Sequence, residues 1–424
     1  MIKEVEMLIR ELFLSMGKEK NYIVLPEVSL VRENQDTYYI GSAVMAHMHL
    51  FEKQHLTKES YVAAQRIFSS KRLQDIGKYP LTTTFEVMLS MFRFGDTDGR
   101  EALRFAIDFV CEAINGDPGK LIFLAPYELG LRKDVLSLGI SSNRVISWDQ
   151  SLETSLGDGR PTGYYVKMFY PYRHGIIPIG SIGFIESNGK LSVDSAFFME
   201  RLSFVREGLP TFYQDRYFAP LMNMVNNHEF FADLSFYEKN LWINHMRSIV
   251  ALLVDGATFN AKGAGHALKK MVRQLAVTIV GKKLPDELGQ KLILAANQCL
   301  FHMGYLNVIE YKKLSEIVVA QIDLASNQIS KEKKAFIKAL RSNKNNMSIE
   351  ELQKWNSERG LRFEWLDKFA LQEGVSLPCS QEIKRHQFRN ECYSFSETDR
   401  IKDPIQYIKD SENQKMKGRL IKHG

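Results

Sequence analysis

Apolar positions recur along this chain with two periods, and the change from one to the other divides it. In the opening run MIKEVEMLIRELFLSM, Val5, Leu8, Ile9 and Leu12 share one helical face between acids, which predicts an amphipathic helix. Residues 22–31 and 37–41 are rich in β-branched and aromatic side chains and read as strands. Asp98 is placed to cap a helix, with Glu101 at the capping-box position and Leu103, Ala106, Ile107 and Val110 as its apolar face. The short apolar runs Leu121–Ala125, Val145–Trp148, Gly163–Tyr170 and Ile176–Ile185 have the character of buried strands. From about residue 236 the pattern becomes that of long helices, interrupted by the polar, turn-like SNKNN at 342–346.

This order predicts an α+β fold, a sheet region followed by a helical one, with no internal repeat. The expected division is 1–235, 236–378, and a basic tail over 379–424. The tail ends in KMKGRLIKHG, which is either solvated or in contact with phosphates.

Composition narrows the function classes only slightly. With 424 residues, 45% apolar and 25% charged, the chain is an ordinary globular protein with ample core. A net charge of +6 fits an RNA partner without requiring one. Cys111, Cys299, Cys379 and Cys392 have no C-x-x-C spacing, which argues for a reducing compartment and against a zinc ribbon. The start lacks the pattern of a signal peptide, and no run approaches the ~18 apolar residues of a membrane span. The expectation is a cytoplasmic protein with no membrane partner and no zinc.

Few local motifs carry chemistry alone. His47 and His49 would share a face if their segment were a strand, the minimum for a metal pair. Gly263–Ala264–Gly265 lacks the strand and Gly-Lys-Ser/Thr of a phosphate loop. Lys262, Lys269, Lys270, Arg273, Lys282 and Lys283 form a basic set. On a helix, Lys269, Lys270 and Arg273 fall at i, i+1 and i+4, giving either a solvated face or a contact with phosphates.

Residues 236–275 place Arg247, Leu252–Val254–Asp255–Gly256, Asn260, Gly265, Leu268 and the basic Lys269, Lys270 and Arg273 in sequence. This resembles the alanyl-tRNA synthetase segment R-x-x-x-F-L-I-x-D-G followed by P-S-N-E-x-R-G-Y-V-L-R-R-I-I-R-R, which in that family meets the tRNA acceptor stem. Other stretches resemble the same family in the same order. Residues 7–51 resemble its opening helix and T-L-L-F-T-N-A-G-M-N-Q-F. Residues 60–96 resemble its second class II motif, between Q-R-C-V-R and F-F-E-M-L-G-N-F-S-F-G-D. Residues 156–170 are similar to M-G-D-T-G-P-C-G-P-C-T-E-I-F-Y, and 192–205 to S-V-D-T-G-M-G-L-E-R-I-A-A-V. Near the end, AFIKAL and 351–378 are similar to F-x-x-T-L and F-K-L-Y-D-T-Y-G-F-P.

The resemblance implies a class II synthetase-type antiparallel sheet of six or seven strands flanked by helices, then a helical tRNA-recognition domain. By the same resemblance, the family's editing and C-terminal domains are expected to have no counterpart within these 424 residues. By motif position, Asp194 would hold the substrate ammonium, although an aspartate there could equally cap a helix over 196–205. Arg201 would reach the ATP phosphates, Arg66 is the arginine of Q-R, Asp158 belongs to the G-D turn, and Met45 lies beside the amino-acid pocket. Other positions depart from the family. Its phosphate-clamping arginine falls on Ser69, with Lys71 or Arg72 as the nearest substitutes. Its Gly-x-Gly becomes Ala196–Phe197–Phe198, whose rings either obstruct the nucleotide or turn into the core. The acid of C-T-E falls on Lys167, the pocket tryptophan near Thr154, and the W-N-x-V-F segment on Gly180–Phe184.

ATP and Mg²⁺ are the implied cofactors, and these losses argue against their tight binding. Three readings follow. One is a paralogue that binds tRNA or a tRNA-like RNA with alanylation weakened or lost. Another is an ATP-dependent ligase that activates a small amino acid as an adenylate, for tRNA or another acceptor. The third is a docking scaffold.

Overall fold

The computed structural model describes residues 8–32, 38–52, 59–77, 81–95, 99–148, 153–155, 162–173, 175–187, 190–260, 263–305, 310–378 and 403–420. Val5, Asp98, Asp158, Lys262, Cys379 and Cys392 lie outside these residues.

Nine strands form one sheet among the described residues: β1 Ile23–Val24, β2 Ser60–Phe68, β3 Phe85–Arg93, β4 Ile122–Pro126, β5 Val145–Trp148, β6 Glu153–Ser155, β7 Thr162–Tyr172, β8 Gly175–Ser187 and β9 Lys190–Phe198. Their order is β1-β2-β3-β9-β8-β7-β4-β5, with β6 paired to β7. Neighbours are antiparallel except β1/β2 and β4/β5. The sheet is therefore larger than six or seven strands, because short strands extend it. The four strands expected between residues 121 and 185 are β4, β5, β7 and β8.

The strands expected over 22–31 and 37–41 are mostly absent. Only Ile23–Val24 pairs as a strand, and Val31 meets Tyr39 in an isolated bridge. Pro26 has no amide to give a ladder. The amides of Val28 and Leu30 are instead bound by the side chains of Gln65 and Asp255.

Alternation along β2, β3 and β9 gives the sheet two different faces. Val62, Ala64, Phe68, Val87, Leu89, Met91, Val193 and Phe197 point into the main core. That core also takes buried residues of α1 (Ile9–Glu19), α4 (Gly99–Ile114) and α6 (Met199–Arg206). Of the helix predicted over residues 1–16, the described part starts at Ile9, with Leu8 as its N-cap, and runs on to Glu19 with Ile9 and Leu12 buried; the helix predicted near Asp98 is α4, with Leu103, Ala106, Ile107 and Val110 buried. Tyr61, Ala63, Ile67, Met88 and Phe92 point the other way, towards the short α2 (Ala43–Ala46) and Phe51.

The rest of that second face carries Ile122, Leu124, Phe169 and Ile176, packed with Ile408. Ile408 belongs to a helix, Pro404–Leu420, within the stretch expected as a basic tail, either solvated or in contact with phosphates. The sequence around KMKGRL reads as charge, but Ile408 and Glu412, one turn apart, give the preceding turns a face to bury, and both are 2% exposed.

The helical half begins at α8 (Phe236–Val254), whose Ser235/Glu238 capping box closes its first turn. There follow α9 (Ala264–Thr278), α10 (Asp286–His302), α11 (Tyr311–Ser342), α12 (Ile349–Arg359) and α13 (Phe363–Leu371), which makes Pro404–Leu420 α14. The SNKNN turn follows α11, with Lys344 and Asn345 at positive φ. The main core runs unbroken from the sheet into α8–α11 through Trp242, Ile249, Leu268, Leu292 and Ile322, and a second core joins α11, α12 and α13.

Arg247 clamps the two halves together. It is fully buried, donates to the Phe85 carbonyl, lies 3.4 Å from the Glu200 carboxylate, and stacks 3.9 Å over the Phe218 ring. Gly77 marks the same seam, since a Cβ there would come 2.4 Å from the Tyr237 carbonyl and its φ is +83°.

Candidate functional site

Asp194 lies inside β9, five residues before α6 begins, and so cannot cap that helix. The helix over 196–205 foreseen from sequence starts only at Met199, because 196–198 continue the ladder with β8 and β3. Cross-strand pairing sets Phe92, Asp194, Gly183 and Tyr165 in one row on the second face of the sheet. Part of the Asp194 residue remains exposed, but its Oδ1 is sealed from solvent with no hydrogen-bond partner. Burial pushes its pKa from 3.8 up to about 8. A carboxyl so placed is neutral at pH 7 and would ionise on meeting a cationic amine.

Met45 is on α2, which packs on the same face. Its amide is capped by Ser42, and its carbonyl accepts from Arg32. His47 follows at the end of that helix, 2% exposed, with Nε2 unpartnered and its pKa pushed down to about 4, chiefly by burial. His47 ends α2 and His49 lies in the helical turn that follows, so the strand on which the two would have shared a face is not there. Among the described residues no group of three His, Cys, Asp or Glu side chains is arranged to hold a metal.

Arg201, on α6, is engaged from three sides. Its guanidinium lies 3.9 Å over the Phe198 ring, donates to the Pro178 carbonyl at 3.1 Å, and sits 3.5 Å from Glu86. Glu86, buried on β3, is a residue that sequence reasoning missed. The two phenylalanines separate by alternation. Phe197 turns into the core against Phe13 and Phe109, directly over Gly180, where a Cβ would meet its ring at 2.4 Å. Phe198 stays on the site face beneath Arg201. Only one of the two rings can therefore crowd a ligand there.

Arg66, the arginine of Q-R, does not join Arg201. As an even-numbered residue of β2 it points to the opposite face from Ile67, towards the helical half. There it pairs with Glu27 and, at 2.8 Å, with Asp255, and it lies 4.6 Å from the Tyr305 ring centre. Asp255 is the aspartate of the D-G signal, so two motif residues far apart in sequence form one internal ion triad.

Lys167 lies in the row beside that of Asp194, opposite Ser181. Two strand spacings across and two residues along place it about 12 Å from Asp194. Its amine pairs at 2.5 Å with Glu412 of α14, which is 2% exposed. The carboxylate lost from the strand is thus matched by one from the C-terminal helix, lying against the same sheet face. No local motif around Glu412 could have revealed this.

The basic set divides. Lys269 and Lys270 are exposed on α9, and Lys283 is exposed beyond it. Arg273 turns inward to Glu332 and the Arg359 carbonyl, so it does not share the outer surface with the two lysines. Lys282 pairs at 2.9 Å with Asp233. Ser69 supplies no charge, and Arg72 pairs with Asp75 at 2.9 Å in the loop that packs towards α8 and α9.

For Mg²⁺ and ATP these residues fit poorly. Of the two motif positions expected at the phosphates, one is Ser69 and the other, Arg201, is committed to Glu86 and Phe198.

No protein-family model matches the chain. Its sequence is similar to curated alanine–tRNA ligases: 22% identical over 428 residues to that of Mycoplasma mobile, 25% over 359 residues to that of Latilactobacillus sakei, and 24% over 326 residues to that of Herpetosiphon aurantiacus. These alignments take in 87%, 73% and 65% of this chain, but only 46%, 40% and 36% of the relatives. The chain therefore spans less than half the length of the relatives it matches. Apo histidyl-tRNA synthetase of S. aureus aligns in structure with a TM-score of 0.35 and 12% identity, over 52% of this chain and 75% of that one. The chain is alanyl-tRNA synthetase-like in sequence, as its motifs indicated.

Proposed function

We propose that this protein binds tRNA or an RNA shaped like its acceptor stem, and that alanylation is weakened or lost. One observation carries this reading: the cations at the family's motif positions are bound within the protein. Arg66 is held by Glu27 and Asp255, Arg201 by Glu86 and Phe198, and Lys167 by Glu412. A preorganised donor is worth about 3–4 kcal/mol to a transition state only if it is free to meet the developing charge. Lys269 and Lys270 are exposed on the segment that resembles the family's acceptor-stem contact, where they can neutralise phosphates without reading bases. Filter binding of total tRNA across a salt series, run beside amino-acid-dependent pyrophosphate exchange, tests this. RNA binding without exchange is expected, and exchange at ordinary synthetase rates would overturn it.

A second reading, a ligase that activates a small amino acid, draws on Asp194. Its unpartnered, sealed oxygen on the site face is suited to an ammonium. The same exchange assay decides between them.

A further inference from the structure

A cavity of about 520 Å³ opens at the seam between the loop after β2 and helices α8, α9 and α13. Arg362, Trp365, Tyr237, Gln274, Gln74 and Glu238 are among its walls. Most of its polar groups are already engaged. Glu238 pairs with Lys368 and closes the α8 capping box. The Gln274 amide bonds His245 and the Leu73 carbonyl.

The Arg362 guanidinium is not so engaged. It stands 5.3 Å from the Trp365 ring centre and feels Glu364 and Asp75, but no hydrogen bond or ion pair joins it to a described residue. Burial lowers its pKa, the mark of a cation withdrawn from water without full compensation. Above it Tyr237 is 57% exposed, a large aromatic surface left in solvent. Lys270 is exposed one turn before the lining residue Gln274 on α9, and Lys71 is exposed two residues before the lining residue Leu73.

We propose that this cavity takes one unstacked nucleotide of an RNA strand, with its phosphate on Arg362 and its base against Tyr237. The inference rests on the RNA-binding reading and names a contact that reading lacks. A planar guanidinium matches phosphate oxygens two at a time. An exposed ring is a stacking platform for any base. The volume suits a small ligand and excludes a duplex, so the nucleotide has to leave its stack to enter. Lys71 and Lys270 then meet the phosphates on either side.

The test uses the full chain and the four ribonucleoside 5′-monophosphates, with nucleosides and inorganic phosphate as controls, by calorimetry. Monophosphates are expected to bind at least tenfold more tightly than either control. Arg362→Gln and Tyr237→Leu should each weaken them about tenfold. Each should also weaken tRNA binding, with Arg362→Gln reducing the salt slope by about one. Arg362→Lys, which keeps the charge without the planar fork, provides a folded comparison should the glutamine variant fail to fold, and is expected to bind at intermediate strength. Monophosphates that bind no better than the controls, or equally well to Arg362→Gln or Arg362→Lys and wild type, overturn the proposal. If tRNA still binds in that case, the RNA-binding reading survives without this pocket. Arg362-dependent monophosphate binding with no tRNA binding would instead make it a free-nucleotide site, and both the strand assignment and the RNA reading fail.

Discussion

Replacing Asp194 with asparagine should stabilise the protein, and do so increasingly as the pH rises. In the folded chain the carboxyl titrates near 8, because burial penalises its charge, against an ordinary value of 3.8. Between those values the folded protein holds a proton that the unfolded chain has released. Stability is therefore greatest below pH 3.8 and is lost as the pH rises through the window, levelling off above 8. Each pH unit in that window is worth about 1.36 kcal/mol, which sets a ceiling of about 4 kcal/mol at pH 7. Solvent reaching the exposed edge of the residue screens part of this, leaving about 2 kcal/mol.

Asparagine has the shape of the protonated acid and does not titrate. For a cooperative unit of about 150–250 residues, each kcal/mol moves the melting temperature by about 2–4 °C. The variant should melt about 4–8 °C above wild type at pH 7, with the gap closing towards pH 4. Thermal unfolding followed by circular dichroism from pH 4 to 9 measures this. A variant that melts lower at pH 7, or a gap that ignores pH, would refute the reasoning. Addition of a small amino acid supplies a second readout: stabilisation of wild type alone would mean that the carboxylate meets an ammonium.

Three further outcomes follow from contacts made by other residues. Arg247→Met should cost about 3–5 kcal/mol in denaturant unfolding, because it leaves Glu200 buried without its cation, and Arg247→Met with Glu200→Leu should recover much of it; a double variant no more stable than the single removes the ion pair from the account of the seam. Lys269→Ala and Lys270→Ala should each lower the salt slope of RNA binding by about one at unchanged melting temperature, whereas Arg273→Ala should cost about 1–2 kcal/mol of stability through its lost partner Glu332. The opposite pattern would put Arg273, not the lysines, on the RNA. Glu412→Gln should loosen α14 from the sheet and speed tryptic cleavage after Lys409, read by mass spectrometry, and unchanged protection would mean that Ile408 and its neighbours hold the helix without the Lys167 pair.

The sequence by itself determined which segments could be strands or helices wherever burial was uniform along an element. Leu121–Ala125 reads correctly because continuous apolar character needs no partner to interpret. The ordered motif matches likewise carried the alanyl-tRNA synthetase likeness, since residue identity and order are properties of the chain. What the chain could not specify was the side of the sheet on which a residue acts. Arg66 and Ile67 are adjacent, yet the pleat sends one to Asp255 and the other to the site face, and the outcome depends on pairing set by distant strands. The same holds for Phe197 and Phe198, and for Asp194, whose role as cap or buried acid turned on where β9 ends. Ion partners were least legible of all: Lys167 meets Glu412 across 245 residues, because a charge removed from water is stabilised by whatever opposite charge the fold brings near, however far away it lies in sequence.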